Sequence, residues 1–208
     1  MVVNITWPWN ILWSDEANFC LNEHVITHKC RIWAVENPHA IQEQPLHPDK
    51  DTVWCGFTAI FIIGPYSFEE ITANGIQTCS VTGQRYRDML KDFVIPQLQQ
   101  RECLQDIIFM QDGATPHIDR RVKQLLRQHF TDARVISRHF PTAWLPHSPD
   151  IIPCVFWLWG FLKDSIYRER QTSLPDLKDS IPRHVLDIPA DSPRSAVENM
   201  VSAIKAHC

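Results

Sequence analysis

The chain has 208 residues, 44% of them hydrophobic and 21% charged, an ordinary balance for a soluble globular protein with one sizeable core. Its formal net charge of −4 excludes a uniformly basic nucleic-acid binder, so any contact with a polyanion has to come from a local patch. Seven cysteines without regular spacing, in a chain long enough to fold without staples, point to reduced thiols in cytosol or nucleus. No apolar run approaches the ~20 residues of a membrane span. The start MVVNITWPWNILW lacks the basic region and cleavage site of a signal peptide, and Asn4-Ile5-Thr6 is a chance match to a glycosylation pattern.

In chain order, residues 10–21 read as a strand or strand pair near the centre of a sheet, with the acid Asp15 closing an apolar run. Residues 22–30 are polar and loop-like, residues 31–35 a short strand, and residues 36–51, with Pro38, Pro45 and Pro48, a surface loop. Residues 52–63 are rich in β-branched and aromatic side chains and suit a hairpin with its turn near 57–60, stopped by Gly64-Pro65. Residues 67–82 look irregular. Tyr86, Met89, Leu90, Phe93, Val94 and Leu98 recur at helical steps over 83–100, with Pro96 set to kink that helix.

Ile107 to Met110 form a buried-strand run that ends in Gln111-Asp112-Gly113. An amphipathic helix is expected over 117–130, a short strand over 134–137, and a proline-rich loop from Pro141 to Pro153. Pro153 suits the first turn of a helix. Yet Cys154-Val155-Phe156-Trp157-Leu158-Trp159 supplies none of the acids that helix starts favour. Two further helical stretches, 174–185 and 195–206, form a helical C-terminal tail over 175–208. The order of elements predicts a mixed α/β sheet flanked by helices, in which chemistry gathers at strand ends.

Asp15 and Asp112 each follow an apolar strand run and are candidates for one shared site. A carboxylate placed there is costly unless paired, and a divalent cation is one remedy. The competing reading is two ordinary turn or cap residues. The residues around them weigh on this choice. Trp13-Ser14-Asp15-Glu16-Ala17-Asn18-Phe19 and Arg31 to Pro38 resemble the start of the catalytic domain of mariner-type DDE/D transposases. Residues 52–56 and 63–68 look like that family's next strands. Gln111 to His117 is similar to its second catalytic block, and Ser148-Pro149-Asp150 through Gly160 to its third.

The resemblance covers residues 11 to about 182 and implies a single ribonuclease-H-like domain with a mixed sheet of about five strands. It implies Mg2+ or Mn2+ held by three acids, and cutting and joining of transposon-end DNA in the nucleus. Asp15 falls on the first acidic position and Asp112 on the second. The third lies two residues after the proline of the SPD-x-x-P block, and here that residue is Val155. Hydrocarbon cannot bind a hard cation, so weakened metal binding and impaired catalysis are expected. Ile152, where the family often carries a polar residue, points the same way. Full-length relatives carry helix-turn-helix domains ahead of the catalytic domain, and the chain starts about ten residues before Asp15, so those are expected to be missing. Homodimerisation on paired DNA ends is a property of relatives. A catalytically inactive DNA- or protein-binding module is the alternative reading.

Other features carry less. His24, His28 and Cys30, with Cys20 nearby, invite a zinc reading but look like a loop between strands. His117 either touches DNA, positions a water, or simply starts a helix. Arg120, Arg121, Lys123 and Arg127 either meet a phosphate backbone in a sequence-independent way or form a solvated helix face. Arg134, Arg138, Lys163, Arg168 and Arg170 are candidates to extend the same surface. Trp157 and Trp159 read as core rather than as a base-stacking platform.

Overall fold

The computed structural model describes residues 7–21, 49–73, 75–142 and 153–206. The readings placed on 22–48, including His24, His28, Cys30 and the strand at 31–35, and on 143–152, including Ile152, lie outside them.

A five-stranded sheet organises the molecule, in the order β3-β2-β1-β6-β7. Strand β1 (Ile11–Cys20) is central. It pairs antiparallel with β2 (Lys50–Phe57), which pairs antiparallel with β3 (Ile62–Ser67). On its other side β1 pairs parallel with β6 (Ile108–Met110), and β6 with β7 (Val135–Ile136). This mixed five-stranded sheet with helices on both faces is the ribonuclease-H-like fold that the sequence predicts.

Alternation along the strands divides the core in two. Ile11, Trp13, Ala17 and Phe19 point to one layer with Val53, Cys55 and Phe57. That layer is covered by α4 (Trp159–Arg168), α5 (Leu174–Leu186) and α6 (Ser192–Ala206), through residues such as Leu162, Leu177, Ile181 and Val197. Leu12, Trp54 and Phe109 point to the other layer. It is covered by α1 (Gly83–Met89), α2 (Ile95–Gln100) and α3 (Arg120–His129), through Tyr86, Leu90, Leu98, Val122 and Leu126. Among the described residues all five cysteines are free thiols, and no helix is long and apolar enough to cross a membrane.

Several local expectations need correction. Gly64-Pro65 does not stop the hairpin: β3 runs through it to Ser67, with a cis peptide between the two residues. Because β3 is an edge strand, the missing proline N–H breaks no ladder. Gly64 sits at φ +118°, where a Cβ would meet the Trp54 carbonyl oxygen at 3.0 Å. Residues 67–82 are not irregular. They contain a separate hairpin, β4 (Glu69–Thr72) with β5 (Gly75–Thr78). Its apolar pair, Ile71 opposite Ile76, is exposed, so the strands carry no core-facing alternation to read.

Residues 83–100 are helical throughout, capped by the Thr82 side chain on the Arg85 N–H. Pro96 is accommodated by a wide π-helical segment, Leu90–Val94, that joins α1 to α2. Such a segment relieves the lost N–H and the clash of the proline ring with the preceding turn. Helix α3 begins at Arg120 rather than 117, because Asp119 caps it by accepting the Arg121 N–H at 2.8 Å.

Candidate active site

Asp15 lies inside β1 rather than at its tip, because β1 goes on pairing with β2 as far as Cys20. Its parallel neighbour β6 ends at Met110, which sits beside Trp13. Two residues further along each chain come Asp15 and Asp112, so the parallel register leaves the two acids level. The charge of Asp112 makes the smallest of the contributions that raise the Asp15 pKa. The sheet therefore brings together the two acids predicted from the sequence.

Asp112 is shaped by its own turn. Its Oδ1 accepts the Ala114 N–H at 2.8 Å and lies 2.6 Å from Nδ1 of His117. Nε2 of the same imidazole lies 3.1 Å from Oε1 of Glu16. His117 is thus a buried bridge (3% exposed) between the end of β6 and the middle of β1, not the first residue of a helix. Burial alone would push its pKa down. Glu16 and Asp112 outweigh burial and raise it to about 10, which makes the bridge an imidazolium. Burial pushes the Asp112 carboxyl up, and the hydrogen bond and charge of His117 more than reverse this, leaving it below the usual range.

The buried Gln111 fixes the turn from the other side. It accepts from the Tyr86 hydroxyl at 3.0 Å and donates to the His117 carbonyl and to Ser137 Oγ, each at 3.1 Å. The Tyr86 ring lies 4.2 Å from that of His117.

Opposite Asp15 stands the start of the α4 arm. A π-helical segment, Cys154–Leu158, leads into α4. Cys154 anchors it to β1 by donating its thiol to the Trp13 carbonyl at 3.4 Å. Val155 is 40% exposed and lines a cavity of about 420 Å³ with Asp15, Glu16, Asn18, Trp159 and Lys163. The indole N–H of Trp159 donates to Asp15 Oδ2 at 2.9 Å, while its ring packs edge-on against Phe19. Burial first, then the charge of Glu16, raises the Asp15 pKa to about 7, although the Trp159 hydrogen bond works against this.

Trp159 is core, as expected, yet its polar edge reaches the site. Lys163 belongs to this cavity too and does not extend the α3 surface, which lies across the sheet. Burial lowers its pKa, against the pull of Asp15. Sequence reasoning missed Glu16, Gln111 and Trp159 as parts of the site. Glu16 was adjacent to the first acid, but strand alternation put it on the other face. It nonetheless lines the cavity beside Asp15 and lies 3.1 Å from the His117 imidazole.

Mg2+ and Mn2+ want several oxygen donors. Here Trp159 occupies one oxygen of Asp15, His117 and a backbone N–H hold Asp112, and the segment before α4 gives the cavity a valine. Among the described residues no group of three or more His, Cys, Asp or Glu is placed to hold an ion. The donors present do not fit a pair of divalent cations.

The predicted DNA-facing residues Arg120, Arg121 and Arg127 are exposed on α3, with Lys123 half-buried among them. Arg121 pairs with Asp119 at 3.0 Å and donates to Gln84, and Arg127 pairs with Asp132 at 3.0 Å. Part of this positive charge is therefore answered locally.

No protein-family model matches the chain, and no curated protein matches it. Solved structures do. A pre-cleavage Mos1 transpososome superposes with a TM-score of 0.67 at 14% identity, over 94% of this chain and 54% of that one. A Mos1 transposase paired-end complex with left transposon end gives 0.66 at 14% identity, over 94% and 53%. The catalytic domain of Mos1 mariner transposase gives 0.65 at 15% identity, over 94% and 79%. Other structures of that catalytic domain contain Mn or Mg. The fold is thus similar to the mariner transposase catalytic domain, and the chain spans about half the length of the Mos1 chains in the DNA complexes.

Proposed function

We propose that this chain is a mariner-type DDE/D transposase catalytic domain, acting on transposon-end DNA in the nucleus, whose cutting and joining of phosphodiesters is impaired at the third acidic position. The observation that carries this reading is the place of Val155. It lines the cavity that holds Asp15, in the segment that Cys154 anchors to β1. In an intact site of this type two cations activate the attacking oxygen and stabilise the leaving one. Here Asp15 and Asp112 remain as two acids for one weakly held Mg2+ or Mn2+. Relatives whose structures are paired-end complexes favour a pair of copies as the working unit, with Arg120, Arg121, Lys123 and Arg127 near the DNA backbone, while His117, buried between Asp112 and Glu16, does not reach it.

The test is a nicking assay on duplex DNA with Mn2+, comparing the unaltered protein with Val155→Asp. Val155→Asp is expected to cut faster by at least the roughly 10–100-fold that loss of a supporting metal-site group costs. Equal rates would remove the role given to Val155.

A second reading is a catalytically inactive DNA- or protein-binding module. The bridge of His117 between Glu16 and Asp112 favours it, because those acids are neutralised without an added ion. Salt-sensitive DNA binding, with no cleavage by either protein, would support this reading over the first.

A further inference from the structure

Helix α4 and the segment before it present Val155, Trp159 and Lys163 to Asp15 at four-residue intervals, and all three line the same cavity as Asp15 and Glu16. A helix face that ligates a divalent ion offers oxygens. This one offers a hydrocarbon, an N–H donor and an ammonium. None can bind a cation, and two do part of a cation's work toward a carboxylate. Trp159 is well placed for it. The indole is 5% exposed, its ring is fixed edge-on at 6.1 Å from Phe19, and Nε1 lies 2.9 Å from Asp15 Oδ2. Lys163 Nζ lies 5.8 Å from the centre of the same Phe19 ring.

Competition follows from this arrangement. A carboxylate oxygen that accepts an N–H has one lone-pair direction less for a metal. An ammonium inside the same cavity repels a second cation. The departure from an ion-binding site therefore extends beyond the single valine.

We propose that Trp159, backed by Lys163, is a positioning residue that holds Asp15 in place of a divalent cation, so that the site is neutralised from within. This rests on the reading of position 155 as a former acid and goes beyond it. It says that an acid restored at 155 still binds metal against a competing N–H.

The test is Mn2+ binding followed by electron paramagnetic resonance for Val155→Asp, Val155→Asp/Trp159→Phe and Val155→Asp/Lys163→Gln. Phenylalanine keeps an aromatic ring at this place and removes the donor together with the pyrrole half of the indole. Trp159→Phe is expected to tighten Mn2+ about tenfold, the scale of one charge-assisted hydrogen bond, and Lys163→Gln to tighten it by less. A merely structural tryptophan would instead lower stability and leave Mn2+ affinity unchanged. A second readout leaves Trp159 in place: in 15N-indole-labelled Val155→Asp, the Trp159 Nε1–H resonance is expected to move as Mg2+ is added. Equal Mn2+ affinities for Val155→Asp and its Trp159→Phe derivative, or an unmoved indole resonance at saturating Mg2+, would overturn the proposal while leaving the reading of Val155 intact. Absence of Mn2+ binding by all three variants would overturn both.

Discussion

The imidazole of His117 joins two strands: Nδ1 lies 2.6 Å from Asp112 Oδ1 and Nε2 lies 3.1 Å from Glu16 Oε1. One buried cation thus serves two carboxylates that approach from β1 and from the turn after β6. Removing it leaves both acids facing each other. Breaking a fully buried pair costs about 3–5 kcal/mol. Asp112 is 40% exposed, so solvent screens part of this. His117→Ala is expected to lose about 1–3 kcal/mol in urea denaturation near neutral pH. A loss below about 0.5 kcal/mol, the level of an ordinary surface substitution, would count against the bridge.

Gln111 is fully buried and makes three hydrogen bonds, to Tyr86, His117 and Ser137. Leucine of similar size would remove all three of these bonds. Gln111→Leu is expected to cost about 1–3 kcal/mol, the penalty for a buried polar group left unmatched. It should also loosen the turn that carries His117, read as faster amide hydrogen exchange at His117 and Ile118.

Gly83 opens α1 where Asp119 caps α3. A Cβ added there would fall within 2.6 Å of the Asp119 Cβ and Cγ atoms, closer than real Cβ contacts come. Gly83→Ala is therefore expected to destabilise by about 1–3 kcal/mol, the usual cost of overpacking. In a double-mutant cycle with Asp119→Gly, which opens the space, the added cost of Gly83→Ala should shrink.

Asp51 supplies a pH prediction. It is fully buried on β2, accepts the Ser67 hydroxyl at 2.7 Å, and has no partner for Oδ1 among the described residues. Burial raises its pKa above the ordinary 3.8, with Ser67 and Lys178 pulling the other way. For an acid so shifted, the folded state holds its proton more firmly than the unfolded one. Its ionisation therefore costs stability once pH rises above 3.8, and the cost is complete above the raised folded pKa. Asp51→Asn is expected to melt higher than the unaltered protein at neutral pH and at the same temperature below about pH 3.8. An equal melting temperature at neutral pH would remove this assignment.

Much of the sheet was legible because its strands are buried on both faces and read as apolar runs, as at Ile11 to Trp13 and Ile107 to Met110. The helix over 83–100 was legible from its period, and the two acids from runs that end in a charge. The β4-β5 hairpin was not, since Ile71 and Ile76 face solvent and only the pair Asn74-Gly75 marked a turn. The site's support was not legible either. Glu16, His117 and Trp159 meet across 101 and 144 residues of sequence to their partners, and nothing local announces such contacts. The basic residues were legible as a cluster, but not the local acids Asp119 and Asp132 that answer Arg121 and Arg127.

The most direct measurement is Mn2+-dependent nicking of duplex DNA by the unaltered chain beside Val155→Asp, with Mn2+ affinity taken on the same samples. Faster cleavage and tighter Mn2+ binding by Val155→Asp, by about tenfold or more, are the predicted result. Cleavage by the unaltered protein at the rate of Val155→Asp would contradict it.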